Sequence, residues 1–235
     1  MLKQELQYGN TKIKYSLVFD DRKTLGIKVY PDKSVHVVAP TDSTIDKIEE
    51  KVRSKASWII RQQDFFMSFH PMTPPRKYIS GETHLYLGRQ YRLKVKESNQ
   101  PSVKLQGGNI VVETKDKTDR KKVEQQLRRW YKTKAQIHFN KLFEEQLPIA
   151  KTFYGGTPTL KYRWMEKRWG SCDSKAQVYL NLELIKAPKR CIKYVIVHEL
   201  CHLVHLNHST AFFELLEKLL PNWRETKDKL EKIMV

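Results

Sequence analysis

The sequence predicts an α+β protein, and two observations carry that prediction. Short alternating apolar runs bounded by turn residues fill most of the first half, while helical periodicity dominates the second. A β-rich N-terminal region with one helix is therefore expected over residues 1–115. A C-terminal region over 116–235 is expected to combine a small antiparallel sheet with a histidine-bearing helix, either as a separate domain or fused to the first.

The elements follow in order. Ile13-Lys14-Tyr15-Ser16-Leu17-Val18, Leu25-Gly26-Ile27-Lys28-Val29 and Val35-His36-Val37-Val38 read as strands. Asp20-Asp21 and Pro31-Asp32 separate them as turns, which predicts a β-meander over 11–40. Thr41-Asp42-Ser43 offers an N-cap, and Ile45, Ile48, Val52, Ala56, Ile59 and Ile60 follow at helical spacing, so a helix to about Phe66 is expected. His70-Pro71 through Pro74-Pro75 breaks it. Four more short strands, around Leu85–Leu87, Tyr91–Val95, Val103–Leu105 and Ile110–Val112, are punctuated by the turn signals Gly88-Arg89 and Gly107-Gly108-Asn109.

A long helix is predicted from about Asp119 to Glu145, ended by Pro148. Leu160–Trp164 and Val178–Leu184 then read as a strand pair around a polar loop containing Arg168-Trp169-Gly170-Ser171-Cys172. A helix-patterned run from Cys191 to Asn207 comes next, then a helix over about 210–220, Pro221 and a charged terminal helix. No internal repeat or low-complexity tract is visible.

Composition bounds the function. Hydrophobic residues make up 40 % of 235, ordinary for a globular protein with a real core. No apolar run approaches the ~20 residues that cross a bilayer, so no membrane partner is expected. Met1-Leu2-Lys3-Gln4-Glu5 has no apolar segment of a secretory signal. Cys172, Cys191 and Cys201 are an odd set, too few for a disulfide framework, which predicts a reducing, cytoplasmic setting. The net charge of +18 would attract polyanions, so nucleic acid or an anionic substrate is a possible partner. No nucleic-acid motif accompanies that charge. Its densest stretch, Arg120-Lys121-Lys122 with Arg128-Arg129 and Lys132, reads as an exposed helix face.

The most specific feature is His198-Glu199-Leu200-Cys201-His202. On a helix, residues four apart share a face, so both imidazoles can grip one metal ion beside the glutamate. The chemistry of such an HExxH site is zinc-assisted hydrolysis with the glutamate as general base. Zinc in a hydrolytic site takes a third protein ligand, and three candidates lie nearby. His208 stands six residues after His202, the spacing of HExxHxxGxxH, and is the expected third ligand. That spacing works only if the helix stops between them, for which Asn207 is suited, with Ser209 or Thr210 capping the next helix. Glu214 or Glu217 on that next helix is the second candidate. His205 is the third, but on a continuous helix it would lie on the order of 10 Å along the axis from His198. It reads better as a residue lining the cleft or orienting a neighbour.

Other residues have candidate roles. Arg168, Lys167 or the backbone of Trp169-Gly170-Ser171 could donate to a developing oxyanion, and Arg168 is the catalytic candidate among them. Cys201 falls on a different helical face from both histidines and reads as a buried core cysteine. Cys172 could approach the cleft. Asn181, polar within a strand, suggests a hydrogen-bonding task in the site or in tying down a turn.

Trp169-Gly170-Ser171-Cys172, Leu180-Asn181, Ala187-Pro188, Tyr194 through His202, and Asn207-His208-Ser209 with Phe213 together resemble the YgjP-like metallopeptidase-domain family, relatives of SprT- and WLM-type zinc proteases. Upstream, Arg22-Lys23-Thr24-Leu25, Val38-Ala39-Pro40, Lys55 with Trp58-Ile59, and Gly81-Glu82 with Tyr86-Leu87-Gly88 look like the same family's N-terminal half, so the resemblance spans almost the whole chain. It implies a zincin-like C-terminal region, zinc on His198, His202 and His208, and Glu199 as base. One zinc per chain, or another divalent ion, is the expected cofactor. Phe212-Phe213 stands where relatives often read Phe-Trp.

A zinc-dependent peptidase acting on a peptide or protein is the leading expectation. The rival enzyme is a metal-dependent hydrolase of a phosphoanhydride such as a nucleoside triphosphate. It is favoured by the positive charge, and it would have to hold phosphate with Lys and Arg because no P-loop is present. A nucleic-acid-associated protein, with the N-terminal β region as its binding module and the metal site in support, is a third class.

Overall fold

The computed structural model describes residues 2–30, 32–67, 76–166 and 168–233. The chain divides into two compact units between residues 74 and 75, not at the expected 115/116. The predicted breaker segment over 70–75 lies outside the described residues. No described helix is long and apolar enough to cross a membrane.

The first unit contains β1 (Leu2–Tyr8), β2 (Thr11–Asp20), β3 (Gly26–Val29) and β4 (Val35–Pro40), followed by α1 (Ile45–Ser54) and α2 (Ala56–Met67). Ile13, Tyr15 and Leu17 of β2 and Val35, Val37 and Ala39 of β4 point inward, and Ile48, Val52, Ala56 and Ile59 of the helices complete that core. The expected meander is corrected. The strand order is β1-β2-β4-β3, with β2 and β4 parallel. Local turn signals cannot show that a strand lies beside its second successor. β1 went unread because its one fully buried side chain, Leu6, stands among polar residues. The expected single helix is two, broken at Lys55, whose N–H turns back to the Val52 carbonyl.

The second unit opens with β5 (Thr83–Tyr86), β6 (Arg89–Glu97), β7 (Ser102–Gln106) and β8 (Asn109–Thr114). Their order is β5-β6-β8-β7, again with the second and fourth strands parallel. The two sheets share one connectivity although the sequence shows no repeat. Then comes α3 (Arg120–Glu144), started by Asp119, whose carboxylate accepts the Lys122 N–H. Pro148 does not end this helix but sits inside a short α4 (Leu147–Ala150).

α3 explains why the division does not fall near 115. Its buried face, Val123, Leu127, Trp130, Ala135 and Phe139, shares one core with Leu93, Ile110 and Val112 of the sheet and with Leu180, Ile192 and Ile196 further on. The strands over 83–114 therefore belong with the histidine helix.

The remaining elements are β9 (Thr159–Arg163), β10 (Gly170–Cys172), β11 (Gln177–Asn181), α5 (Lys189–Cys201), α6 (Thr210–Leu219) and α7 (Trp223–Ile233). The small sheet is mixed, not antiparallel as expected. β10 pairs antiparallel with β11, and β9 pairs parallel with it. The strand expected to reach Leu184 stops at Asn181, and Leu182–Lys186 form a 3-10 turn. The β5–β6 turn bonds to it through Leu87 N–H to the Ile185 carbonyl and Gly88 N–H to the Lys186 carbonyl, both 2.9 Å. Gly88 is required there. Its φ is 79°, and a Cβ would stand 2.6 Å from Pro188 Cγ.

Candidate metal centre

α5 is buried on almost every side, with Ile192, Ile196 and Cys201 wholly so, which holds its last turn rigid. The helix ends at Cys201, earlier than the predicted Asn207. His202 is its C-cap, and the N–H groups of Val204 and His205 both turn back to the Cys201 carbonyl. This early stop lets the chain reverse before His208. Ser209 then caps α6 as expected, accepting the Phe212 N–H.

The reversal brings His198, His202 and His208 together. One ring nitrogen from each lies within 4.8 Å of the others, and Nε2 of His198 is 3.0 Å from Nε2 of His208. Two nitrogens bound tetrahedrally at 2.0–2.1 Å stand about 3.3 Å apart, so the spacing fits a shared metal ion. The Nδ1–H of His202 donates to the His205 carbonyl at 2.8 Å, which leaves Nε2 free for a metal and fixes the tautomer. Nδ1 of His198 is buried without a hydrogen-bond partner among the described residues. Burial, then the neighbouring His202 and His208, push the His198 pKa down to about 3, so the ring is neutral and able to coordinate. Phe212, fully buried, touches all three rings with centroids 4.7–5.0 Å away.

The other ligand candidates lie elsewhere. His205 contributes its carbonyl, not its ring. The Glu217 carboxylate accepts from Trp223 Nε1 at 2.7 Å and from Arg224, and Glu214 is exposed on α6 outside the cluster. Cys201 is fully buried, and burial followed by the charge of Glu199 pushes its thiol up to about 12.

Glu199 lines the same cleft, only 5 % exposed. Burial pushes its carboxyl up to about 8, with Arg168 pulling it back down. Arg168 and Cys172 also line this cleft, of about 530 Å³, while Lys167 lies outside the described residues. Cys172 is half-buried, and burial, then Glu199 and Asp173, raise its thiol to about 11.

Asn181 is the buried clamp of the loop before β10. Its amide donates to the carbonyls of Met165 (2.8 Å) and Arg168 (3.0 Å), and its oxygen accepts the Glu183 N–H. Its predicted hydrogen-bonding task is thus structural, aligning the strand that faces Glu199.

Gly170 does what no periodicity revealed. A Cβ there would meet Glu199 Oε1 at 2.6 Å and Cγ at 2.7 Å. The backbone at 170 is not in the left-handed region, so alanine is opposed by Glu199, which supplies the three nearest atoms. Gly170→Ala is therefore expected to fold and to bind metal normally while displacing the carboxylate. A displacement near 1 Å costs on the order of 100-fold in rate, and turnover assays beside metal analysis check it. Unchanged turnover would show that the carboxylate position is immaterial.

A family model of the YgjP-like metallopeptidase domain matches residues 23–233. The chain belongs to the YgjP-like family. Membership of a metallopeptidase family implies a metal cofactor and suggests peptide or protein substrates, and it lends no support to a nucleic-acid partner. No curated protein matches this YgjP-like chain. Among solved structures, the metallopeptidase zymogen abylysin of Pyrococcus abyssi is similar over 41 % of this chain and 99 % of its own, at 23 % identity and a TM-score of 0.36. The zymogen jannalysin of Methanocaldococcus jannaschii is similar over 41 % of this chain and 90 % of its own, at 18 % identity and a TM-score of 0.37.

Proposed function

We propose that this YgjP-like chain is a zinc-dependent peptidase, with His198, His202 and His208 as the metal ligands and Glu199 as general base. The observation that carries the reading is the convergence of three imidazole nitrogens beside one buried carboxylate in an open cleft. Zinc held there supplies Lewis acidity and lowers the pKa of the attacking water.

The protein's own residues supply the rest. Glu199 takes the proton from the attacking water and returns it to the leaving amine. Arg168 supplies positive charge at the mouth of the cleft, where an oxyanion develops. β10 is the edge of its sheet. Trp169 C=O accepts the Asn181 N–H, and Asp173 N–H donates to the Gln177 carbonyl, so alternate residues bond inward. Gly170 and Cys172 therefore turn their N–H and C=O groups to the free edge, where an extended substrate backbone can pair. Leu206, 89 % exposed, and Trp169 give that cleft an apolar wall for a substrate side chain.

A triphosphate finds less. Among the described residues the cleft holds one basic side chain besides its histidines, Arg168, and two acidic ones, Asp173 and Glu199, where several cations would be needed. The test is to load the protein with zinc, incubate it with a mixed peptide library and with nucleoside triphosphates, and read products by mass spectrometry. Chelator-sensitive cleavage of peptide bonds is expected. Phosphate release with peptides left intact would replace this reading with the phosphoanhydride one.

A further inference from the structure

Away from the histidine cleft, the second unit carries a groove of about 530 Å³ between β7 and α3. Its first wall is a free strand edge, since β7 ends its sheet and pairs only with β8 among the described residues. Gly107 and Gly108, with φ of 53° and 74°, form a two-residue turn, so Gln106 and Asn109 flank it as a bonded pair. Counting back in twos, Lys104 and Ser102 also bond to β8. Val103 and Leu105 are left with N–H and C=O groups pointing away from the sheet.

The opposite wall is α3. Trp130, nearly buried, forms its apolar part, and beside it Gln126 has a buried Oε1 with no hydrogen-bond donor among the described residues. An acceptor in that position is costly unless a donor arrives. Lys122, Arg129 and Lys134 line the groove, and among the described residues no aspartate or glutamate does. Lys122 has only a 3.9 Å contact with Asp119, and Lys134 lies over the Trp130 ring at 5.9 Å.

We infer that this groove binds an extended acidic peptide segment of a partner protein, which adds to β7 as a further strand. The free edge supplies main-chain pairing, and alternate acidic side chains meet the three cations. Single-stranded nucleic acid fits less well, because Trp130 is too buried to offer a ring face for stacking bases and the strand edge would stay unpaired. The site is separate from the metal centre and does not depend on the proposed peptidase activity.

The test measures fluorescence anisotropy of a labelled Val-Glu-Val-Glu-Val-Glu-Val peptide with the full chain. Wild-type protein is expected to bind it, and the same peptide N-methylated at alternate amides is expected to bind about tenfold more weakly or not at all. Arg129→Glu with Lys134→Glu is expected to weaken binding by a similar factor. Val103→Pro removes an outward N–H and no bond to β8, at the cost of a partly buried side chain, and is expected to do the same with an unchanged circular dichroism spectrum. Equal binding of the methylated peptide to wild type, which needs no variant to fold, would overturn the strand-addition proposal. So would failure of the peptide to bind, or its complete displacement by an oligothymidine that binds more tightly in the same groove.

Discussion

Glu199→Gln is expected to lower hydrolysis by ~10²–10⁴-fold, the range for loss of a general base, while leaving the metal content near that of wild type. The two side chains are nearly isosteric and Gln cannot accept the proton. A second readout separates this role from simple packing. In metal-free protein, burial holds the Glu199 carboxyl at about 8, above its ordinary 4.5. A group whose folded pKa is raised contributes its full stability below the unfolded value, and loses it as pH rises through the folded one. Metal-free wild type is therefore expected to lose stability relative to Glu199→Gln between pH 4.5 and about 8, with a gap of several degrees in Tm. Positive charge gathered by the histidines then favours the ionised carboxylate, so metal loading near neutral pH is expected to release a proton in wild type and none from position 199 in the variant. Indicator-dye titration reads that proton directly. Equal turnover in both proteins would remove Glu199 from the mechanism.

His208→Ala is expected to weaken zinc binding by more than ~100-fold, because loss of a group that merely orients a ligand already costs 10–100-fold. His208 is exposed on the segment between α5 and α6, with its ring against Phe212 and Phe213, so the metal-free fold is expected to melt within a few degrees of wild type. Competition against a chelating dye measures the affinity. Zinc retained at full strength would move the third ligand away from His208. Glu214 would then lead, since the Glu217 carboxylate is already engaged by Trp223 and Arg224.

Much of this centre was legible because it is local. His198, Glu199 and His202 lie within five residues on one helix, and helical geometry alone puts both rings on one face. His208 could be reached from spacing, given one extra assumption, that the helix stops. The position of the stop was not legible. Asn207 is the better C-terminal residue by propensity, yet the helix ends at Cys201, where the N–H groups of Val204 and His205 turn back onto one carbonyl. Propensity is a weak local preference, and burial of α5 against the shared core overrides it. Phe212 behind the three rings and Gly170 against Glu199 were invisible as roles. Both are contacts between segments distant in sequence, and nothing in a run of residues encodes which segments will meet.

The same division applies to the whole protein. Alternation and helical spacing along the chain determined most of the strands and helices, and local residue chemistry marked the capping residue Ser209 and the candidate metal-binding motif. Only the tertiary structure decided that β2 runs parallel to β4 and β6 to β8, that the small sheet is mixed, and that the strands over 83–114 share a core with the histidine helix. Periodicity reports which face of an element is apolar, whereas strand order and unit boundaries depend on which apolar faces bury each other. That choice is made by packing across the whole chain.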